Sequence, residues 1–289
     1  MEFTTAEELL ALCGSENITI ADVMRRREST EGELDPQTVE EKMKKALDIM
    51  RDSAHKPMSE ILPSRGGMIG GEAAKLSAHA AAGRSICGSV LTKALIYSQA
   101  VPEVNASMGV IVAAPTAGSS GVLPAVLFAL EEEFGLDEAT VLNGLFTAGA
   151  IGCLLMRNAS VAGAEAGCQA EVGSASAMAA VAMFGGSPQQ SLDAASIALS
   201  NMLGLVCDPI AGLVEAPCQS RNAAGAANAL TSAESVLSGI KAVVPFSEMA
   251  EAMYKVGKRL APELRETALG GCAATPTGCA YKCSIFGCK

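Results

Sequence analysis

Residues 104–130 read VNASMGVIVAAPTAGSSGVLPAVLFAL, without one charged side chain. Length alone would admit this stretch as a membrane span, which needs about 20 apolar residues. Its punctuation argues otherwise. Pro115, Pro124 and the run Thr116-Ala117-Gly118-Ser119-Ser120-Gly121 break it, and lipid offers no hydrogen-bond partner to an interrupted backbone. It reads as two buried segments joined by a polar turn. The charge-free residues 172–192 repeat the pattern, with Gly185, Gly186, Pro188, Gln189 and Gln190 in the break, and residues 139–156 form a third apolar run. The expectation is a packed core and no membrane.

Outward from this stretch, helix signals dominate. Thr5-Ala6-Glu7-Glu8 matches a capping box, Asp35-Pro36 sets a capping carboxylate before a first-turn proline, and Ser187-Pro188-Gln189-Gln190 combines both. Helical periodicity or length predicts helices over residues 37–53, 123–134, 138–156, 173–183, 189–202, 222–238 and 247–260. Residues 110–113 are the best strand candidate, and strand signals are otherwise scarce. The predicted class is all-α: a multi-helix, Ala/Gly-rich domain over residues 1–289. Residues 1–60 form a possible helical N-terminal subdomain, and residues 269–289 a turn-rich, cysteine-dense tail.

Composition agrees with an ordered chain: 49% hydrophobic, 18% charged, 3% aromatic and no Trp. The net charge of −10 excludes a phosphate-backbone binder, so no nucleic acid is expected. Arg25, Arg26 and Arg27 read as a solvated helix face. The N-terminus shows no basic region followed by an apolar one, so a cytoplasmic chain is expected. Ten cysteines then read as metal-binding, reactive or simply buried. No P-loop or dinucleotide-binding glycine fingerprint occurs.

Three cysteines keep unusual company. Cys168 lies in Gly163-Ala164-Glu165-Ala166-Gly167-Cys168-Gln169-Ala170-Glu171-Val172-Gly173, and Cys207 and Cys218 bracket Cys207-Asp208-Pro209-Ile210-Ala211-Gly212-Leu213-Val214-Glu215-Ala216-Pro217-Cys218. The second segment is too rich in turn formers for a packing helix. Thiolates on such loops can turn toward one point, as a cluster requires, although the wide spacing is not that of a ferredoxin. On spacing alone, buried cysteines acting as small hydrophobes explain the pattern equally well.

With Val104-Asn105-Ala106-Ser107-Met108-Gly109, Ala114–Gly121 in the first stretch, Arg221-Asn222 after the second and Ala274-Thr275-Pro276-Thr277-Gly278, these blocks follow one order. In them the sequence resembles the α chain of the two-subunit, iron–sulfur-dependent L-serine dehydratases (L-serine ammonia-lyases). The resemblance implies a [4Fe–4S] cluster on Cys168, Cys207 and Cys218. It also implies an open iron that takes the hydroxyl and carboxylate of L-serine on the way to pyruvate and ammonia. A lyase for L-threonine or L-cysteine, or a non-catalytic metal-binding or sensor protein, are the alternatives.

Around the cluster, Thr116, Ser119 and Ser120 are the catalytic candidates, in a loop whose hydroxyls and N–H groups could cradle a carboxylate. Arg221 could pair with a carboxylate or the cluster sulfurs, or form a structural salt bridge. Asn222, Asn105 and Lys75 are further substrate-binding candidates. Of the two histidines, His55 reads as surface and His79 as a satisfied core residue. Single-chain members of the family carry an N-terminal domain with a Ser-Ser-His-Thr motif that is missing here. A separate β subunit, and so a hetero-oligomer, is therefore expected. Cys272, Cys279, Cys283 and Cys288 depart from the family pattern. Cys288 could visit the open iron, the four could bind zinc, or they could be surface thiols without a role.

Overall fold

The computed structural model describes residues 2–181 and 185–287. In chain order its helices are α1 (Ala6–Glu16), α2 (Ile20–Glu31), α3 (Pro36–His55), α4 (Glu72–Ala81), α5 (Gly88–Ala106), α6 (Val122–Phe134) and α7 (Glu138–Asn158). They continue with α8 (Gly163–Ala166), α9 (Ser174–Ala180), α10 (Pro188–Asn201), α11 (Cys218–Leu237), α12 (Phe246–Arg259) and α13 (Pro276–Phe286). Among the described residues there is no strand, only an isolated parallel bridge between Cys207 and Arg265. The all-α class holds.

The caps read from sequence form as expected. Thr5 and Glu8 close a capping box on α1, Asp35 Oδ1 accepts from Thr38 N at 3.0 Å, and Ser187 and Gln190 close a second box on α10. Each such cap satisfies a backbone N–H that the first helical turn leaves without an intrahelical partner. Residues 104–130 do divide into two helical segments around a turn-rich connection. The proposed strand at 110–113 is instead an unpaired part of that connection, with Val110 72% exposed. β-branched residues favour extended backbone, but no neighbouring strand exists to pair with it.

α5, α6, α9, α10 and α11 pack on one another at the centre, and α7 lies against α2 and α9. α7 is long and apolar enough to cross a membrane, but more than half of its apolar window is buried inside the protein. α5 escaped the sequence reading because Pro102 interrupts it and its buried residues include Ala94, Tyr97, Ala100, Val101 and Val104 with little periodicity. α13 also corrects the turn-rich reading of the tail. Thr275 caps it by accepting from Gly278 N at 3.0 Å, with Pro276 at the first position.

Side chains of α1–α3, including Leu9, Val23 and Leu47, join the same hydrophobic cluster as Phe128, Phe146 and Ile151. The arginines on α2 are not simply a solvated face. Arg25 lies 4.2 Å above the Phe146 ring and pairs with Glu40 at 2.9 Å, while Arg27 reaches over Phe3. Only Arg26 matches the solvated expectation, with its side chain half exposed in a pair with Glu16.

His55 is a second correction. It ends α3 half-buried, its ring 4.8 Å from that of Tyr97, and its Nε2 lies 3.0 Å from Glu132 Oε1. Tyr97 donates to the same oxygen at 2.7 Å, and Lys93 Nζ pairs with Oε2 at 3.2 Å. His79, read as a core residue, is exposed on α4. Burial opposes the charge on Glu132, but hydrogen bonds from Tyr97 and His55 and the Lys93 ammonium together hold its carboxyl below the ordinary range. A lowered folded-state value gives stability that is present above the unfolded carboxyl value of about 4.3 and lost as pH falls through the folded value. Glu132→Gln is therefore expected to flatten the acid limb of a Tm-against-pH profile. Superimposable acid limbs for variant and parent would contradict this linkage.

Candidate functional site

Cys168 starts the π-helical turn Gln169–Gly173, which leads into α9. Such turns recur at functional sites, because an inserted residue re-aims the side chains around it. Cys207 lies on the irregular segment before the 3-10 turn Ile210–Gly212, and Cys218 is the first residue of α11. Thus one cysteine sits on a loop and two at helix starts. The start of α11 escaped sequence reading because Pro217 precedes it without a capping side chain.

All three thiols are buried, at 3%, 3% and 8% exposure, and they share one neighbourhood. The Cys207 thiol bonds the Cys168 sulfur, which, with help from Arg221 and against burial, favours the thiolate at Cys168. The same bond and burial push Cys207 strongly upward. Burial first, then the negative charge of Cys168 and Glu171, pushes Cys218 up to about 12. The one Cys207 hydrogen faces a second acceptor, Glu171 Oε2 at 3.5 Å.

Glu171 is the residue the sequence reading passed over. It is a carboxylate on the π-helical turn, its charge opposed by burial and by nearby Glu266, and its pKa is raised. Thr116 donates to Glu171 Oε1 at 3.0 Å and lies 3.1 Å from the Ser119 hydroxyl. An acid three residues beyond a cysteine, at the edge of a charge-free run, was the available signal. Acids in such runs are rarely buried without a functional or paired reason. A Cβ on Gly163 would sit 2.5 Å from Glu171 Oε2 and 3.0 Å from the Cys207 sulfur, so only glycine leaves that space open.

Arg221 forms a structural salt bridge, the second reading given for it in sequence. Its charge faces Cys168, and it pairs with Asp208 Oδ1 at 2.6 Å and donates to Val206 O at 2.8 Å. Asn222 is fully buried: Gly121 N donates to its Oδ1 at 2.9 Å, and its amide donates to Gly118 O and Cys218 O, both at 2.8 Å. Both amide hydrogens are spent inside the fold, so Asn222 holds the Thr116–Gly121 loop against the start of α11. Ser120 donates to Ala117 O at 2.8 Å, and Ser119 and Ser120 are both buried.

Asn105 and Lys75 are not drawn in by any hydrogen bond or ion pair among the described residues. Asn105 is half-buried in the last turn of α5, and Lys75 is 74% exposed in a pair with Glu72 at 3.4 Å. Cavities of about 540 and 580 Å³ flank the start of α5, and no site residue lines either. In the tail, Cys272 and Cys279 are free thiols and Cys283 is disulfide-bonded; Cys288 lies outside the described residues.

Three buried thiols from separate segments fit the cysteine ligation that an iron–sulfur cluster would need, and the guanidinium beside them supplies only a positive charge. Among the described residues no three His, Cys, Asp or Glu side chains are arranged around a single ion. A lone ion draws its ligands to about 2 Å of one point, whereas a cluster spreads them over several irons.

The serine dehydratase alpha chain family model matches residues 15–273. The chain belongs to this family. It is 46% identical to the probable L-serine dehydratase, alpha chain, of Bacillus subtilis, over 99% of this chain and 96% of that one. It is also 46% identical to the L-serine dehydratase, alpha chain, of Peptoniphilus asaccharolyticus, over 95% of each. The L-serine dehydratase of Helicobacter pylori is longer: at 35% identity this chain covers 62% of it.

The thiol pocket rests on α12. A Cβ on Gly257 would fall 2.3 Å from the Ala166 Cβ and 2.6 Å from its Cα, two residues before Cys168. Backbone cannot step aside as a flexible side chain can. Gly257→Ala is expected to lose about 1–2 kcal/mol on balance, as overpacking exceeds the helix propensity gained. An unchanged midpoint in chemical denaturation would contradict that contact.

Proposed function

We propose that this chain is the α subunit of an L-serine dehydratase, converting L-serine to pyruvate and ammonia with a [4Fe–4S] cluster on Cys168, Cys207 and Cys218. The observation that carries the reading is that three buried thiols from separate segments share one neighbourhood with Glu171 and Arg221. When bound, a cluster with one iron free of protein thiolate supplies a Lewis acid for the substrate hydroxyl and carboxylate.

The chain's own residues supply position and proton handling. Thr116 orients Glu171 through a 3.0 Å hydrogen bond, leaving Glu171 as the carboxyl group that can hold or move a proton in the pocket. Arg221 keeps a positive charge against Cys168, which favours the thiolate that metal binding requires. Asn222 fixes the Thr116–Gly121 loop, so its hydroxyls stay near Glu171. The three thiols and Asn222 are buried, while Thr116, Glu171 and Arg221 are half-buried at the edge of the pocket.

A separate β subunit completes this reading. Two relatives carry the words "alpha chain" in their names, and the longer Helicobacter relative has additional sequence beyond the part matched here. A cytoplasmic setting goes with it, because an oxygen-labile cluster persists in a reducing compartment. The test is anaerobic purification, the absorption of the iron–sulfur charge-transfer band, and pyruvate formation from L-serine with and without the partner chain. A brown protein that turns over L-serine strongly only with its partner is the expected result. A colourless protein inert toward serine with the partner present would overturn the reading, and full activity alone would remove the β subunit from it.

A further inference from the structure

The C-terminal segment meets the thiol pocket through side-chain and backbone bonds, the Asp208 carboxylate among them. Asp208 follows Cys207 directly and is 2% exposed. Its Oδ1 pairs with Arg221 Nη2 at 2.6 Å, and its Oδ2 accepts from the Cys272 backbone N–H, also at 2.6 Å. On the far side the Arg221 charge faces Cys168. Two backbone bonds run in parallel: Cys207 N–H to Leu264 O at 2.9 Å and Glu266 N–H to Cys207 O at 2.7 Å. α13 then packs over the 3-10 turn at Ile210–Gly212, between Cys207 and Cys218.

The approach at Gly271 is closer than any side chain would allow. Its φ is +55°, and a Cβ there would fall 2.1 Å from Asp208 Oδ2. Glycine at this position is what lets the Cys272 N–H reach the carboxylate.

We propose that Asp208 is a positioning residue that locks the C-terminal segment, residues 264–273, to the thiol pocket and through Arg221 sets the place of Cys168. One carboxylate thereby serves two tasks, each by a different oxygen. Its charge holds the guanidinium against Cys168, and its second oxygen pins the tail over the segment that carries Cys207. The segment is thus a wall of the pocket. The cluster-binding part of this inference rests on the proposed function, whereas the locking of the segment does not.

The two tasks separate experimentally in the full-length chain, with hydrogen exchange measured on the cluster-free protein and iron and sulfide counted after anaerobic reconstitution. Asp208→Ala is expected to speed amide exchange in residues 264–273 by about tenfold or more, the consequence of losing a charge-assisted hydrogen bond, and to lower the iron bound. Asp208→Asn keeps an acceptor for Cys272 N–H but loses the charge opposite Arg221. It is expected to protect the segment better than alanine while still binding less iron than the parent. Gly271→Ala attacks the same contact from the other side and is expected to reproduce the faster exchange without touching Asp208, which keeps the test open should Asp208→Ala not fold. Parent-like exchange in residues 264–273 for Gly271→Ala, or for a folded Asp208→Ala, would overturn the lock. Parent-like iron in Asp208→Asn would overturn the role toward Cys168. A parent that binds no cluster would defeat the proposed function and the role toward Cys168, and would leave the exchange result to decide the lock.

Discussion

Replacing Cys207 with serine is expected to leave the helical content intact, abolish the iron–sulfur absorption and reduce pyruvate formation to background. Cys207 stands between the Cys168 sulfur and Glu171, and its backbone is held on both sides by Leu264 and Glu266. The substitution changes one buried atom and no backbone bond, so folding should survive. An oxygen ligand is smaller and harder than a thiolate and suits iron–sulfur chemistry poorly. Cys153→Ser is the matched control. Cys153 is a half-buried thiol on α7 whose charged neighbours are Arg27, Glu28, Glu31 and Arg157 rather than site residues, and both signals should persist in that variant. Circular dichroism, the visible spectrum and the assay with partner chain together decide the matter. Undiminished colour and turnover in Cys207→Ser would remove Cys207 from the ligand set.

The second large effect is expected at Glu171. Glu171→Gln keeps the side chain's size and an oxygen to accept from Thr116, but it removes the group that can exchange a proton. Loss of a positioned acid or base typically costs about 10²- to 10⁴-fold in rate. The expected outcome is a fall of that order in kcat/KM, at an iron content matched to the parent. The same iron with an almost unchanged rate would show that proton transfer belongs elsewhere, the partner chain first. A fall in iron alone would mean that Glu171 acts on the thiols instead.

Much of the helical frame could be read along the chain because its determinants are local. A capping side chain acts within three residues, as at Thr5, Asp35 and Ser187, and the amphipathic face of α3 repeats within a few turns. Local rules failed where burial is all-round or interrupted. α5 contains Pro102 and little periodicity, and the start of α11 at Cys218 has no capping side chain. The extended residues 110–113 had strand composition but no partner strand, a fact that no local rule can supply. The arginines of α2 were misread for a related reason: a charge run looks solvated until Phe146 and Phe3 are placed beneath it.

The site divides in the same way. Its three thiols stood out in sequence as turn-rich company, and family resemblance joined them. By itself the sequence determined the all-α class, the caps and the candidate thiols, since those depend on neighbours within a turn or on residue identity. Only the tertiary structure decided what those thiols face. It set Glu171 between Thr116 and Cys207, turned Asn222 inward as a brace, left Lys75 outside the network, and made Asp208 the link between tail and pocket. These roles depend on side chains from segments more than a hundred residues apart (Asn222 and Gly118 are 104 apart). Burial then assigns each buried polar group the partner it must find.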